Sequence, residues 1–355
     1  MARKLKTNRT LIVVIFLLLG IGLLTVASSG ALLKGTDRNV FFIKQGAVAL
    51  LGLILLFAAM RIPYDAYLRP LPVRILGGAS VALLLLLFFL PKYKDAYRWI
   101  VFPGFTLQPS EFVKIFLLIY LAYRLPRIDF SGAWWKDAIL PAVFTGLIVM
   151  EPDLGTAFII LSITGVMFFV AGLPRRYVLL AFTMLLLFLT AAIFSKGYRY
   201  ARLTAFLNME AHADKEAYQT LQAMKAIGSG KLMGKGVGGS TQKLYYLPQP
   251  HTDFAFAIVG EELGFVGAVS VLLLFGIFLW QGLKVSRAHP RLEGSYLAFG
   301  ITIIVVFQAL IHISVNLALM PTKGLALPFI SYGGSSLLAT CLMAGILLNI
   351  SEERA

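Results

Sequence analysis

Long stretches of apolar residues, separated by shorter polar segments, run along almost the whole chain. A helix needs about 20 mostly apolar residues to cross a lipid bilayer. Ten stretches approach or reach that length: Leu11–Ala27, Phe41–Met60, Ile75–Leu90, Phe112–Tyr123, Ala138–Met150, Thr156–Leu173, Tyr177–Phe194, Phe254–Leu283, Tyr296–Met320 and Ser335–Ile350. The pattern predicts an all-α integral membrane protein with about ten transmembrane helices. The short fourth and fifth stretches either tilt little or continue into a protein-lined cavity.

Composition agrees with this prediction. The 355 residues are 59% hydrophobic and 14% charged, unlike a soluble domain of this length. The net charge of +15 raises the question of a nucleic-acid partner. In a membrane protein, however, basic residues record orientation, so we expect no nucleic acid and both termini in the cytoplasm. The first stretch is interpreted as a retained anchor. The single Cys341 excludes a disulfide within the chain.

One long external loop, 195–253, lies between spans seven and eight. Its eight Lys or Arg residues fit either a solvated basic loop or a site for an anionic lipid-linked substrate. Tyr218–Ile227 has the pattern of a short amphipathic helix. The glycines that follow it, together with Lys231 and Lys235, fit either a flexible segment or an anion-binding nest of backbone amides. No linker divides the chain, so residues 1–355 are expected to form one membrane domain.

Charged residues at membrane depth are costly and are therefore candidates for function. Glu111 and Lys114 lie three residues apart at the start of the fourth span, on one helix face where they can pair. A simple salt bridge at the helix end is the structural alternative. Glu151 and Asp153 share a short external turn. Asp153 fits ordinary turn chemistry there, while two neighbouring carboxylates also fit a divalent-cation site.

The sequence His251-Thr252-Asp253-Phe254 stands where the long loop re-enters the membrane. Thr252 or Asp253 fits the N-cap of the eighth helix. Glu261 lies eight residues further on, about 12 Å deeper along a helix. It falls roughly 80° around the helix from Asp253, so the two carboxylates can share a cavity.

The histidines give no metal site. His251 has no His or Cys partner at the spacing of metal ligands, which favours a hydrogen-bonding role. His212, His289 and His312 are scattered along the chain and indicate no shared function.

Taken together, these motifs resemble the SEDS family of cell-wall glycosyltransferases, the shape, elongation, division and sporulation proteins. The resemblance covers nearly the whole chain, and the order of the motifs makes it specific. It rests on Arg98-Trp99-Ile100, Gln108-Pro109-Ser110-Glu111 with Lys114, Glu151-Pro152-Asp153-Leu154-Gly155-Thr156, Arg202 with Phe206, Tyr218-Gln219, Ala226-Ile227-Gly228-Ser229-Gly230, Leu247-Pro248, His251-Thr252-Asp253-Phe254, Gly260-Glu261-Glu262-Leu263-Gly264, Pro321-Thr322-Lys323-Gly324 and 328–336.

Two features refine the resemblance. Gly260-Glu261-Glu262 and 321–325 look more like the division and sporulation branch (FtsW-like) than the elongation branch (RodA-like). Ala318 departs from the family pattern, because glycine is expected there, and Ala326 stands where threonine or proline is common. These departures put the packing of the loop after the ninth span in doubt.

The resemblance implies a peptidoglycan glycosyltransferase that polymerises lipid II into glycan strands. The reaction is expected at the outer face of the bacterial cytoplasmic (inner) membrane, during cell division or elongation. The partners it implies are lipid II, the nascent glycan strand, a class B penicillin-binding transpeptidase and other membrane proteins of the divisome or elongasome.

The family also implies roles for individual residues. Asp253 is the essential carboxylate, supported by Glu111, Lys114, Asp153 and Glu261. Asp253 serves either as a base for the attacking hydroxyl or as a ligand of a divalent cation, Mg or Mn, held against the pyrophosphate. No organic cofactor is expected. The residues expected to contact substrate are Arg202, His251, Thr252, Lys323 and Ser331.

Two other functions compete with polymerisation. A lipid II flippase or another transporter should carry polar residues through the membrane midplane and often has repeated halves. Here the carboxylates gather at the outer face. A non-catalytic scaffold that activates a transpeptidase is the second alternative, and the intact acidic motif argues against it.

Overall fold

A computed structural model describes residues 8–30, 40–93, 96–103, 105–194, 197–213, 217–242, 247 and 251–352. Within these ranges lie twelve α-helices and two short β-strands. In chain order they are α1 (Arg9–Gly30), α2 (Val40–Arg61), α3 (Pro70–Leu87), β1 (Ile100–Phe102), β2 (Phe105–Leu107), α4 (Pro109–Arg124), α5 (Trp135–Met150), α6 (Leu154–Val170), α7 (Arg175–Phe194), α8 (Gly197–Leu207), α9 (Tyr218–Ser229), α10 (Ala255–Ala288), α11 (Leu292–Asn316) and α12 (Gly334–Glu352).

Each of the ten apolar stretches coincides with a helix, from α1 to α7 and from α10 to α12. Six helices of the described chain are long and apolar enough to cross a membrane, namely α1, α2, α3, α10, α11 and α12. Helix α6 is apolar but shorter, at 17 residues. The protein is therefore a mainly helical, multi-pass membrane protein. The number of ten spans stays a prediction.

The structure differs from the sequence-based expectations in three places. The strands β1 and β2 form an antiparallel hairpin between α3 and α4, a small departure from an all-α fold. The long loop contains α8 in addition to the expected helix α9. Three apolar stretches continue beyond the end of their helix, because α3 ends at Leu87, α6 at Val170 and α11 at Asn316. In each case apolar residues continue into a turn, which hydropathy alone does not reveal.

Helices α11 and α12 form the centre of the bundle. In each of them 72% of the apolar window is buried within the protein, against 22% in α3. Helix α12 packs on α2, where a Cβ atom added to Gly345 would lie 2.3 Å from the carbonyl oxygen of Leu56. A small residue at this position lets the two backbones approach closely, as is usual between membrane helices.

Helix α10 is interrupted at Gly264, whose φ of 67° lies in the left-handed region. The amide groups of Phe265 and Val266 donate to the carbonyls of Lys231 and Leu232, at 2.8 and 3.2 Å. These bonds replace the intrahelical partners that the interruption removes. Backbone polar groups inside a membrane protein need such internal partners. The glycine-rich segment after α9 is therefore docked on the break in α10.

Helix α11 ends in a Schellman motif. The amide of Leu319 donates to the carbonyl of Ser314 at 2.8 Å, and the amide of Ala318 donates to that of Val315 at 3.1 Å. The motif requires a left-handed residue after the helix, and Ala318 takes that conformation with φ of 57°. Glycine usually occupies this position. The structure thus gives a physical reason for the glycine that the resemblance led us to expect at 318.

We expect Ala318→Gly to stabilise the protein by about 1 kcal/mol. A left-handed alanine costs roughly 1–2 kcal/mol, and the greater flexibility of glycine in the unfolded chain offsets part of the gain. Thermal unfolding of the purified protein in detergent tests this prediction. Ala58→Gly, at an exposed position within α2, is the matched control and should destabilise by about 1 kcal/mol. Equal destabilisation by both changes would contradict the expectation.

Candidate active site

The loop that joins α11 and α12, residues 317–333, is the centre of the candidate site, and we call it the α11–α12 loop. Two buried side chains of α11 hold its backbone. Gln308 Nε2 donates to the carbonyl of Ala326 at 2.8 Å, and His312 Nδ1 donates to that of Leu325 at 2.7 Å. Gln308 and His312 lie one helical turn apart and are 4% and 2% exposed. They fix the loop to the most buried part of the bundle.

Glu111 and Lys114 pair at 3.0 Å, so the pairing predicted from their spacing is confirmed. The Lys114 side chain is fully buried, and its ammonium also donates to Gln308 Oε1 at 2.7 Å. A continuous series of hydrogen bonds therefore links Glu111, Lys114, Gln308 and the carbonyl of Ala326. The structure thus places Lys114 behind the α11–α12 loop, in contact with protein groups that support it.

The segment from His251 to Asp253 lies against the far end of the same loop. The amide of Tyr332 donates to the carbonyl of His251 at 2.8 Å, and the two rings pack edge to face at 5.4 Å. Ser331 Oγ donates to the carbonyl of Thr252 at 2.7 Å. His251, Thr252 and Ser331, expected to contact substrate, are therefore joined to one another and form the wall beside Asp253.

The carboxylate of Asp253 faces Gly324 of the α11–α12 loop. A Cβ atom added to Gly324 would lie 3.3 Å from Asp253 Oδ2 and 3.6 Å from Oδ1. The N-cap of α10 is Phe254, and it forms no side-chain cap bond. The structure therefore assigns the cap position to neither Thr252 nor Asp253, the two residues that sequence analysis offered.

Asp153 is the N-cap of α6. Its carboxylate accepts from the amide and hydroxyl of Thr156, at 3.1 and 2.9 Å, and from Gln108 Nε2 at 3.2 Å. Lys323, which is next to Gly324 in the chain, interacts with the charge of Asp153. Of two consecutive loop residues, Lys323 is thus influenced by the charge of Asp153, and Gly324 lies beside the carboxylate of Asp253.

Lys323 is held in a partly apolar setting. Its Nζ atom lies 4.8 Å from the centroid of the Phe158 ring, within range of a cation–π interaction. Burial lowers the pKa of Lys323, and the negative charge of Asp153 offsets part of this effect. The lysine therefore loses its proton more readily than a lysine on the surface.

Glu151 is a buried carboxyl group beside Asp153. It is fully buried, and neither side-chain oxygen has a hydrogen-bond partner within the described residues. Burial, followed by the charge of Asp153, raises the pKa of Glu151 to about 8, against the opposing effect of Arg98. Arg98 also donates to the backbone carbonyls of Glu151 and Pro152. The raised pKa favours the protonated form of Glu151, while Arg98 holds the turn in place.

Arg202 reaches the α11–α12 loop from α8. A small cleft is lined by Arg202, Ala205, Phe206, Met209, Ala217, Thr220, Pro321 and Thr322. The Arg202 side chain is exposed. Four consecutive residues thus lie near three charged side chains. Pro321 and Thr322 line the cleft with Arg202, the next residue is Lys323 itself, and Gly324 lies beside Asp253.

Glu261 faces a different part of the protein. Its carboxylate accepts from Lys235 Nζ at 2.7 Å, from the amide of Thr241 at 3.0 Å and from the hydroxyl of Ser240. The donors around this carboxylate are the side chains of Lys235 and Ser240 and the amides that follow the glycines, whereas the sequence interpretation had proposed a nest of glycine amides. Glu261 is placed to hold the end of the long loop against α10.

The described residues contain no group of three or more His, Cys, Asp or Glu side chains that could hold a metal ion. Sequence analysis also missed a polar row on α11 formed by Gln308, His312 and Asn316. Their spacing of four residues puts them on one helix face. That spacing within an apolar stretch was the available signal, whereas sequence analysis grouped His312 with the scattered histidines and gave it no role.

Comparison with known proteins identifies the family. A family model described as "Cell cycle protein", which covers FtsW, RodA and SpoVE, matches residues 9–355. The probable peptidoglycan glycosyltransferase FtsW of Geobacter metallireducens is 39% identical over 344 residues, covering 94% of this chain and 91% of its own. Stage V sporulation protein E of Bacillus subtilis is 34% identical over 359 residues, covering 99% and 98%.

Solved structures agree with the sequence relatives. A chain from a peptidoglycan synthase complex that coordinates polymerisation and crosslinking superposes with a TM-score of 0.82, at 29% identity and 98% coverage of both chains. The rod shape determining protein RodA of Thermus thermophilus superposes with a TM-score of 0.74, at 28% identity, covering 98% of this chain and 97% of its own. The chain therefore belongs to the FtsW, RodA and SpoVE family of cell cycle proteins, the SEDS family that its motifs resemble.

Proposed function

We propose that this protein is a peptidoglycan glycosyltransferase that polymerises lipid II at the outer face of the cytoplasmic membrane. The observation that carries the proposal is the convergence at residues 321–324. Pro321 and Thr322 line a cleft with Arg202, Lys323 supplies a cation next to them in the chain, and Gly324 lies beside the carboxylate of Asp253. A carboxylate beside cationic groups suits the transfer of a sugar from a pyrophosphate donor.

In this reaction the 4-hydroxyl of the acceptor sugar attacks the anomeric carbon of the donor. The new C–O bond forms on the face opposite the pyrophosphate, and the proton of the hydroxyl passes to Asp253. The electron pair of the broken C–O bond leaves with the polyprenyl pyrophosphate. One carboxylate that activates the nucleophile is the usual arrangement in inverting sugar chemistry.

The departing pyrophosphate needs positive charge. Lys323 and Arg202 are the proposed partners, because both lie along the run 321–324. Arginine presents a planar fork that suits phosphate oxygens, whereas lysine acts as a compact point charge. Lys114 is assigned a supporting role, because its ammonium is fully buried between Glu111 and Gln308.

A divalent cation, Mg or Mn, is a further proposal. Asp253 is the carboxylate that would hold it, and hard cations take six or more oxygen ligands. Since the described residues offer no cluster of three acidic or histidine side chains, the pyrophosphate and water would supply most of the coordination. A bound cation would stabilise the charge of the departing pyrophosphate, and the proposed role of Asp253 as the base does not depend on it. Activity assays with and without a chelator test the cation directly.

The cellular setting follows from the family. We propose ten transmembrane spans, both termini in the cytoplasm and the long loop 195–253 outside. The related FtsW and stage V sporulation proteins favour a role in division or sporulation over elongation. The related peptidoglycan synthase complex supports a class B penicillin-binding transpeptidase as partner. Lipid II and the growing glycan strand are the proposed substrates.

Asp253→Asn should abolish polymerisation, because it removes the base and keeps the shape of the side chain. We expect the rate to fall by about 10²–10⁴-fold, the usual contribution of a general base. Glycan products made from lipid II by the purified full-length protein, with its partner transpeptidase, are separated on gels. Asp129→Asn is the matched control, since that exposed carboxylate bonds to Ser131 within its own turn.

Three results of this assay would count against the proposal. Normal polymer from Asp253→Asn would remove the catalytic assignment. Transbilayer movement of lipid II without any polymer would identify a flippase. Activation of the transpeptidase by the wild type and by Asp253→Asn alike, with no polymer from either, would identify a scaffold.

Gly324→Ala should also lower activity, by about 10- to 100-fold in kcat. The added methyl group would lie 3.3 Å from Asp253 Oδ2, closer than an ordinary contact, and displacement of a reacting group by about 1 Å can cost 10²-fold. The matched control is Gly333→Ala in the same loop, where the nearest atom to the added Cβ is Ser336 Cβ at 3.8 Å. Equal activities of the two variants would contradict a close approach of Asp253 to Gly324 during catalysis.

Lys323→Arg should move the alkaline limb of the pH–rate profile to higher pH. Burial lowers the pKa of Lys323, so the wild type loses the positive charge at a lower pH than an ordinary lysine, whose pKa is about 10.4. Arginine stays charged throughout this range. Initial rates of polymerisation, measured between about pH 7 and about pH 10, test this shift. Identical alkaline limbs would show that Lys323 does not carry the charge.

A further inference from the structure

Asp253 stands at the start of α10, where its carboxylate could either cap the helix or point to Gly324. The first amide groups of a helix have no acceptor within the helix, and an Asp near the N-terminus usually supplies one. Asp253 directly precedes the N-cap Phe254, which forms no side-chain cap bond. A carboxylate that folded back onto these amides would be turned away from Gly324 and from the proposed reaction.

Asn316, the last residue of α11, supplies the missing cap from another helix. Its Oδ1 accepts from the amide of Ala257 at 3.0 Å. Ala257 is the third residue of α10, which is one of the two positions that a capping side chain normally serves. The amide of Ala257 also donates to the carbonyl of Phe254 at 3.0 Å. The side chain of Asn316 therefore does for α10 what an N-cap residue of the same helix would do.

The same amide group also holds the backbone of Asp253. Asn316 Nδ2 donates to the carbonyl of Asp253 at 3.1 Å and to the carbonyl of His312 at 2.9 Å. Asn316 is fully buried, so water does not compete for these bonds. The backbone from Asp253 to Ala257 is fixed at both ends, and the carboxylate of Asp253 points to Gly324.

We propose that Asn316 is a positioning residue for Asp253: it caps α10 in place of the aspartate and anchors the aspartate's carbonyl, which directs the carboxylate to the α11–α12 loop. The catalytic part of this inference rests on the proposed function. Asn316 contacts no reacting group itself, so it acts through Asp253. Substrate binding at Arg202 and Lys323 is not expected to depend on it.

The test compares three variants of the full-length protein. Asn316→Leu has a similar shape and removes both the acceptor and the donor. Asn316→Asp keeps an acceptor for the Ala257 amide, since Asp and Asn cap helices about equally well. Thr302→Val is the control on the same helix, because Thr302 is fully buried and its hydroxyl donates to the carbonyl of Ala298 within α11.

Hydrogen exchange of the peptide segment 251–260 reports on the cap without reference to activity. Asn316→Leu should speed exchange of this segment, because the amide of Ala257 loses its side-chain acceptor and keeps only the carbonyl of Phe254. Asn316→Asp and Thr302→Val should leave exchange close to that of the wild type. Unchanged exchange in a folded Asn316→Leu protein would overturn the capping role.

Kinetics of lipid II polymerisation report on positioning. Asn316→Leu should lower kcat by about 10- to 100-fold, as expected for a misplaced reacting group, with KM for lipid II changed by less than about threefold because the binding groups are intact. Asn316→Asp should give a kcat between those of Asn316→Leu and the wild type, because it keeps the acceptor for the Ala257 amide and loses the donor to the carbonyl of Asp253. A larger change in KM than in kcat would show a role in substrate binding and overturn the proposal.

Two further outcomes keep the test decisive. If Asn316→Leu fails to fold, Asn316→Asp decides: it lacks the donor to the carbonyl of Asp253, so a kcat equal to that of the wild type would overturn the positioning role. If the wild-type protein makes no polymer, the proposed function fails. The exchange data then still decide whether Asn316 caps α10.

Discussion

The structure depends on the need to satisfy every buried polar group of a non-helical loop inside a membrane protein. Lipid offers no hydrogen bonds, so irregular backbone buried in a membrane protein is stable only where protein groups donate to its carbonyls and accept from its amides. The α11–α12 loop meets this requirement through Gln308 and His312, which bond to the carbonyls of Ala326 and Leu325. Gln308 is in turn held by Lys114 at 2.7 Å. The loop can be irregular because α11 supplies these partners.

A buried lysine illustrates the energetics of this arrangement. An ammonium removed from water carries a desolvation cost that a single ion pair does not reliably offset. Lys114 has two acceptors, Glu111 Oε1 at 3.0 Å and Gln308 Oε1 at 2.7 Å. The pair thereby links α4 to α11. Removal of one partner would leave the other charge buried, which is far more damaging than loss of a surface pair.

Sequence patterns predicted the large elements and some local contacts. The apolar stretches located ten helices, because burial in lipid demands long apolar runs, and the i, i+3 spacing predicted the contact of Glu111 with Lys114. The motifs also identified the α11–α12 loop as important. Its fixation by α11 was missed, since contacts between residues such as Asp253 and Asn316, 63 positions apart, depend on how helices pack.

The same limit explains why the cap of α10 was assigned wrongly. Local rules favour Thr252 or Asp253, because capping is normally a contact between near neighbours. The structure instead places Phe254 at the N-cap and brings Asn316 from the end of α11. Hydropathy also hid the β1–β2 hairpin, whose strands have three residues each. Three-residue strands are too short for a period-two pattern to stand out from their surroundings.

Two carboxylates of the same segment show how environment separates structural from chemical roles. Glu261 is fully buried and surrounded by donors from Lys235, Thr241 and Ser240. A carboxylate held this way has little remaining capacity to accept a proton or a substrate hydroxyl. Asp253 is only partly buried and faces Gly324, a residue without a side chain. Gly324 places no side chain against the carboxylate of Asp253, which fits the proposed assignment of the chemistry to Asp253 and of a structural role to Glu261.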